Sequence, residues 1–210
     1  MSTAKDDVPS PIDFHNPEEA RASIADTVAR RPYRSTFFAS FAHALNVHTR
    51  SEPLRILELG SGPGHLAKHI LENCTASHYA ALDFSDAMHG IARENLKGFT
   101  DKVSYLTRDF RRADWADGLA DFDAVVTMQA AHKTRHKRHL PGFLVMARDT
   151  LRVGGLFLYS DHYAEAGSGK NEQLYLPRDE QAAALVQAGL KDVDCLLMEG
   201  GMALYRGAKA

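Results

Sequence analysis

The run Glu58-Leu59-Gly60-Ser61-Gly62-Pro63-Gly64 sets three glycines at alternate positions directly after a short apolar stretch. Glycine permits a tight turn and lets backbone approach a ligand closely. Further along, Asp83 and Asp109 each follow an apolar run, and His132-Lys133-Thr134-Arg135-His136-Lys137-Arg138-His139 is a dense basic, histidine-rich segment. His162 stands after the next apolar run. A carboxylate offers two acceptor oxygens, which suits a vicinal diol. Histidine exchanges protons near neutral pH and serves as a general base. The chemistry on offer is ligand binding by a glycine loop and carboxylates, with proton transfer close by.

The glycine spacing narrows the ligand. A dinucleotide fingerprint reads G-x-G-x-x-G. Here the third glycine comes one residue early, and His65 takes the fingerprint position. Pro63 removes one backbone donor from a loop that would meet a pyrophosphate. No Lys-Ser or Lys-Thr follows, so a phosphate-cradling P-loop is excluded.

These residues need strands and helices to position them, and the pattern supplies both. Helical sequence runs from about Pro17 to Asn46, divided at Pro32. Pro17, Glu18 and Glu19 suit a first helical turn. Phe37, Phe38 and Phe41 recur at helical spacing; core packing and a lid over a ligand are both open readings. After Pro53, strands alternate with helices. The expected strands are 54–59, 79–84, 103–107, 123–128 and 156–160, with helices at 65–73, 86–96, 138–151 and 179–188. Strands 193–198 and 202–207 close the chain as a hairpin around Gly200-Gly201. Such alternation predicts an α/β fold: a Rossmann-like, doubly wound, mostly parallel seven-stranded sheet with a C-terminal antiparallel hairpin and N-terminal cap helices. Residues 1–17 read as a flexible lead and 18–210 as a single domain, with N-terminal helices over 18–50 and the Rossmann-like core over 51–210.

The chain of 210 residues suits one domain with a full core. Its net charge of -2 gives no global positive field for a nucleic-acid backbone, so no nucleic-acid partner is expected. Cys74 and Cys195 are far apart in the sequence and read as reduced thiols. The polar N-terminus lacks the apolar centre of a signal peptide. No stretch reaches the roughly 20 apolar residues of a membrane span. A cytoplasmic protein is expected, with no membrane partner, as a monomer or homodimer.

Ile56–Ala67 resembles the first motif of class I S-adenosylmethionine-dependent methyltransferases of the small-molecule type, a hydrophobic-E-x-G-x-G-x-G pattern. The other motifs resemble the family's in order: Asp83 after the second strand, Asp109-Phe110 after the third, Phe122–Met128 at the fourth, and Leu151–Ser160 with Gly154-Gly155 at the fifth. The resemblance implies S-adenosylmethionine as cofactor. It implies a donor site of Glu58, Gly60, Ser61, Gly62, Gly64, Asp83, Phe84, Met88, Asp109, Phe110 and Met128, with Asp83 on the ribose hydroxyls and Asp109-Phe110 at the adenine. A turn or capping role is the alternative for both aspartates, though Asp86 is the better placed cap.

The acceptor is less legible, because in-line transfer from a sulfonium relies mainly on positioning and desolvation. The fourth motif continues Thr127-Met128-Gln129-Ala130-Ala131-His132. It lacks the D/N-P-P-aromatic motif of amino-methylating DNA enzymes, the Pro-Cys of cytosine C5 enzymes and the glutamate pair of arginine methyltransferases. The expectation is methyl transfer to an O or N atom of a small-molecule acceptor, with an anionic metabolite among the candidates. His132 and His162 are candidate catalytic bases; Tyr33, Arg34, Gln129, His132 and Arg135 are candidate acceptor contacts. The 132–139 segment has three open readings: a solvated basic loop, an anion site at His132 and Arg135, or a metal site of His132, His136 and His162. Both histidines also admit a purely structural role. No metal is expected. A non-catalytic donor-binding module, a nicotinamide-dependent oxidoreductase, and a protein or nucleic-acid methyltransferase are the competing functions.

Overall fold

The computed structural model describes residues 7–49, 52–165 and 169–210. Seven strands form one sheet: β1 (Leu54–Leu59), β2 (Ala76–Asp83), β3 (Val103–Thr107), β4 (Phe122–Met128), β5 (Leu151–His162), β6 (Leu190–Glu199) and β7 (Met202–Lys209), ordered β3-β2-β1-β4-β5-β7-β6. Strands β1 to β5 pair in parallel, and β7 lies antiparallel between β5 and β6. The helices are α1 (Pro17–Arg30), α2 (Arg34–Thr49), α3 (His65–Asn73), α4 (Asp86–Asn95), α5 (Leu140–Asp149), α6 (Lys170–Leu174) and α7 (Arg178–Gln187). The expected doubly wound sheet with its closing hairpin is the observed architecture.

Alternation along each strand sends side chains to two cores. Ile56, Tyr79, Ala81 and Val126 meet Phe37, Phe41 and Leu45 of α2 and Leu66 and Ile70 of α3. Leu57, Leu59, Ala80 and Val125 meet Phe143 and Leu144 of α5, Leu185 of α7 and Trp115. Phe37, Phe41 and Leu45 are fully buried, so core packing is the role of most of the aromatic cluster. Burying each such side chain stabilises the fold by about 1.5–3 kcal/mol. Gly154-Gly155, expected before a strand, sits inside β5, which starts at Leu151. The ladder against β4 shifts register there. A Cβ on Gly155 would lie 2.9 Å from the Arg152 carbonyl oxygen, which accounts for glycine at that point.

Residues 1–6, part of the expected flexible lead, lie outside the described residues. From Asp7 the lead lies against the fold. The Val8 N–H donates to the Arg135 carbonyl, and Ser85 Oγ donates to the Phe14 carbonyl. Asn16 caps α1, its side chain accepting from the Glu18 and Glu19 N–H groups. Helix α1 buries only Ala20. Among the described residues, no helix is long and apolar enough to cross a membrane.

Candidate active site

The sheet order reverses between β1 and β4, where ligands of such sheets collect outside the carboxyl ends of the strands. A cavity of about 270 Å³ lies there. The loop after β1 forms its floor. Gly60, Gly62 and Gly64 have φ of +75°, +52° and +78°, a region that L-residues rarely adopt. Gly60 also abuts the β4 end: an added Cβ would fall 2.1 Å from the Ala130 Cβ. Nothing lies within 4 Å of the corresponding position at Gly62, which faces open space.

The loop's own N–H groups are already used. Gly60 and Ser61 donate to the Leu82 carbonyl (2.8 and 3.0 Å), Gly62 to Asp83 Oδ2 (2.8 Å) and Gly64 to the Ser61 carbonyl (3.0 Å). Pro63 has none to give. A pyrophosphate would find no free donor in this turn, so the loop fits a nucleoside ligand without phosphates. The Ser61 hydroxyl, by contrast, is buried and unpartnered on the cavity wall. A buried hydroxyl in that condition is uncommon and suits a polar ligand.

Asp83 ends β2 on the cavity. Each carboxylate oxygen accepts one backbone N–H, from Gly62 (2.8 Å) and Ser85 (3.0 Å), leaving lone pairs for a diol. Burial raises its pKa, against those two bonds. Ser85, rather than Asp86, caps α4, its Oγ accepting from the Met88 N–H at 3.0 Å. Glu58 is fully enclosed. Burial pushes its pKa up to about 8, while the Tyr79 hydroxyl donates to it at 2.9 Å. Phe84, Met88, Phe110 and Met128 supply apolar wall. Helix α1 roofs the cavity with Ser23, Ile24, Thr27 and Val28, and Phe14 of the lead closes one side.

On the β4–β5 side, Asp161 gathers two histidines. It accepts from His132 Nδ1 (2.9 and 3.1 Å), from the His132 N–H (3.0 Å) and from the His162 N–H (2.8 Å). Burial favours the neutral acid, but His132 outweighs it and holds the pKa below the usual value. Since a carboxylate only accepts, His132 Nδ1 carries a proton, which leaves Nε2 as the lone-pair nitrogen of the neutral ring. His162 differs. Arg34 donates to Gln129 Oε1, so the Gln129 amide nitrogen faces His162 Nε2 at 2.9 Å and donates to it. His162 Nδ1 donates in turn to the Gly201 carbonyl (3.3 Å). Both of its ring nitrogens are engaged, and burial lowers its pKa. Tyr175 stands edge-on to both rings at 5.3 and 5.4 Å. Gln129 holds its place at a φ of +56°, backbone strain of the kind that clusters at functional sites.

The 132–139 segment is two short 3-10 turns, 131–134 and 137–139, broken at left-handed Arg135 (φ +72°). His132 and His136 therefore do not stack as on one helix. His136 Nδ1 accepts from the Arg138 N–H, turned away from a shared metal. Arg135 does not face the cavity: its guanidinium donates to the Val8 and Pro9 carbonyls at 2.7 and 2.6 Å. Arg138 and His139 reach Asp7 at 2.5 and 2.9 Å. Much of the segment is thus a clasp for the lead. Two other expected contacts lie off the cavity. The Tyr33 hydroxyl donates to the Gly200 carbonyl at 3.1 Å. Asp109 lines an outer groove, held by Arg111 at 2.6 Å. Burial there acts to raise the Asp109 pKa, but Arg111 outweighs it and lowers it. The geometry adds Arg31, Lys133 and Tyr175 to the cavity lining, and Asp161 buried behind His132. Asp161 was readable as an acid at the end of the fifth strand beside His162. Arg31 carried no signal.

Residues 56–155 match a family model described as a methyltransferase domain. The lovastatin nonaketide synthase mokA of Monascus pilosus is 25% identical over 69% of this chain and 5% of its own. A malonyl-[acyl-carrier protein] O-methyltransferase of Geobacter sulfurreducens is 28% identical over 68% of this chain and 58% of its own. The chain spans 3–6% of the length of polyketide synthases and a hybrid synthetase that it matches. A solved O-methyltransferase family protein from Burkholderia thailandensis superposes with a TM-score of 0.75 over 94% of this chain and 61% of that one; at 17% identity it shows the shared fold. Residues 56–155 thus carry a methyltransferase domain, set on the fold that this chain shares with a solved O-methyltransferase family protein.

Proposed function

We propose that this protein transfers a methyl group from S-adenosylmethionine to an oxygen or nitrogen of a small acceptor whose proton is taken by His132. The observation that carries the reading is His132 on the wall of the cavity floored by the glycine loop, its Nδ1 bonded to Asp161 behind it and its Nε2 without a hydrogen bond among the described residues. When bound, the cofactor supplies an electrophilic methyl on a sulfonium and leaves as a neutral thioether. Gly60, Ser61, Gly62 and Gly64 would support its amino-acid and ribose portions, Asp83 would accept from the ribose hydroxyls, and Phe84, Met88 and Phe110 would enclose the base. Met128 and Gln129 flank the reacting end. The acceptor's O–H or N–H proton would pass to the lone pair of neutral His132 Nε2, freeing the electron pair of the acceptor atom for attack. Asp161 fixes the tautomer and balances the imidazolium. His162 is a positioning residue, ordered through Gln129 and Arg34. Helix α1 covers the cavity and buries only Ala20, so its opening would cost little.

A second reading follows from the relatives, which are mainly polyketide synthases, with one carrier-protein O-methyltransferase. The same base can ionise an acidic carbon of an acyl chain, giving C-methylation. Both readings are tested with one acceptor screen (phenols, amines, β-keto acyl thioesters) on the wild type, His132→Ala and Asp161→Asn. Loss of a general base lowers kcat by about 10²–10⁴-fold, with S-adenosylhomocysteine affinity retained. Unchanged kcat in His132→Ala on an accepted substrate refutes the assigned base.

A further inference from the structure

The cavity holds two cations that make no ion pair among the described residues. Arg31, at the C-terminal end of α1, and Lys133, after β4, both line it. Among the described residues, neither has a carboxylate ion-pair partner. The Arg31 guanidinium donates to the Thr27 hydroxyl at 3.4 Å, and the Lys133 ammonium rests over the Phe14 ring at 4.2 Å. The acids on the same wall are committed elsewhere: Asp26 to Arg30 at 2.7 Å, Asp83 to two backbone N–H groups, Glu58 to Tyr79. Arg31 lines the same cavity as Arg34, Lys133, His162 and Tyr175, and its charge acts on all four. Burial and then Arg135 and Arg31 lower the Lys133 pKa to about 8, and Asp161 and Asp83 offset this only in part. Two half-buried cations that repel one another cost free energy unless an anion joins them.

We infer that Arg31 and Lys133 form a subsite for an oxyanion of the acceptor, a carboxylate on an organic acid, held across the cavity with its reactive atom toward His132. This rests on the methyl-transfer reading and adds the substrate class to it. A guanidinium offers a paired-donor fork to a carboxylate and an ammonium offers a point charge, and both bonds are charge-assisted. The arrangement also gives α1 a reason to close, since an anion would tie its last residue to the β4 side. It replaces Arg135, which is occupied with the lead, as the anion contact.

The test uses benzoate as probe and benzamide as its uncharged counterpart. Each is titrated calorimetrically into the full chain saturated with S-adenosylhomocysteine, for the wild type, Arg31→Met, Lys133→Met and His132→Ala. The expected result is benzoate binding by the wild type that weakens roughly tenfold or more in each cation variant. Binding of benzamide should be weaker than that of benzoate in the wild type and unaltered by the substitutions. S-Adenosylhomocysteine affinity, titrated separately, should be unchanged in all variants, which also establishes that they fold. Benzoate binding no tighter than benzamide, or unaltered in Arg31→Met and Lys133→Met, overturns the subsite. So does a loss of S-adenosylhomocysteine affinity in those variants, which would assign the cations to the donor. Failure of the base reading is separate: it appears as unchanged kcat in His132→Ala, whose benzoate binding stays intact in either case.

Discussion

Replacing Gly60 by alanine perturbs the site at its most constrained point, and the structure sets the size of the effect. The φ of +75° costs an L-residue about 1–2 kcal/mol. The new Cβ would stand 2.1 Å from that of Ala130, whereas carbon atoms at rest are about 3.5–4.0 Å apart. The β4 end or the loop must therefore shift by more than 1 Å, an overpacking that typically costs about 1–3 kcal/mol. The expected loss is about 2–5 kcal/mol, within the stability of an ordinary domain. Ala130→Gly in the same chain removes the overlap and leaves the backbone strain, so the double variant should recover the overpacking share alone. Urea unfolding of wild type, both single variants and the double variant isolates that coupling. S-Adenosylhomocysteine affinity should fall with Gly60→Ala and return in part with the double variant. A Gly60→Ala protein as stable as the wild type, or no coupling to Ala130, refutes the packing of loop against β4 described here.

Glu58 has a pKa raised by burial to about 8 in the fold, against an ordinary value near 4.5. The folded state then binds the extra proton, so stability is greatest below about 4.5 and declines as pH rises through about 8, by up to about 1.4 kcal/mol per unit. Glu58→Gln should flatten that slope in urea melts between those pH values; an unchanged slope contradicts the assignment. Arg135→Ala removes two charge-assisted bonds to the Val8 and Pro9 carbonyls, worth about 1.5–3 kcal/mol each. Limited proteolysis should then cut within residues 7–16 faster than in the wild type, and equal cutting rates would show that the clasp holds nothing.

The strand–helix alternation was legible because parallel strands buried on both faces read as apolar runs, as at Leu57, Leu59 and Val125. The glycine loop was legible because its spacing reports backbone geometry directly. The 132–139 segment was not. Its composition is uniformly basic, yet His132 turns to Asp161, Lys133 to the cavity and Arg135 to the lead. Only the left-handed break at Arg135, which no residue type announces, separates these roles. Asp109 followed its strand as expected, but Arg111, two residues on, captures it locally. Helix α1 was expected from Pro17 and its acidic first turn. Its place as the roof was not, since so polar a helix shows no face that must be buried.

The central claim is that the cavity at the β1–β4 reversal binds S-adenosylmethionine through the glycine loop and Asp83. Calorimetric titration of S-adenosylhomocysteine into the wild type and Asp83→Ala, with NAD as a parallel ligand and thermal unfolding to verify the fold, tests it directly. The account predicts micromolar binding of S-adenosylhomocysteine by the wild type, a large loss in the variant, and no binding of NAD. Equal affinity in a folded Asp83→Ala protein, or preference for NAD, would contradict it.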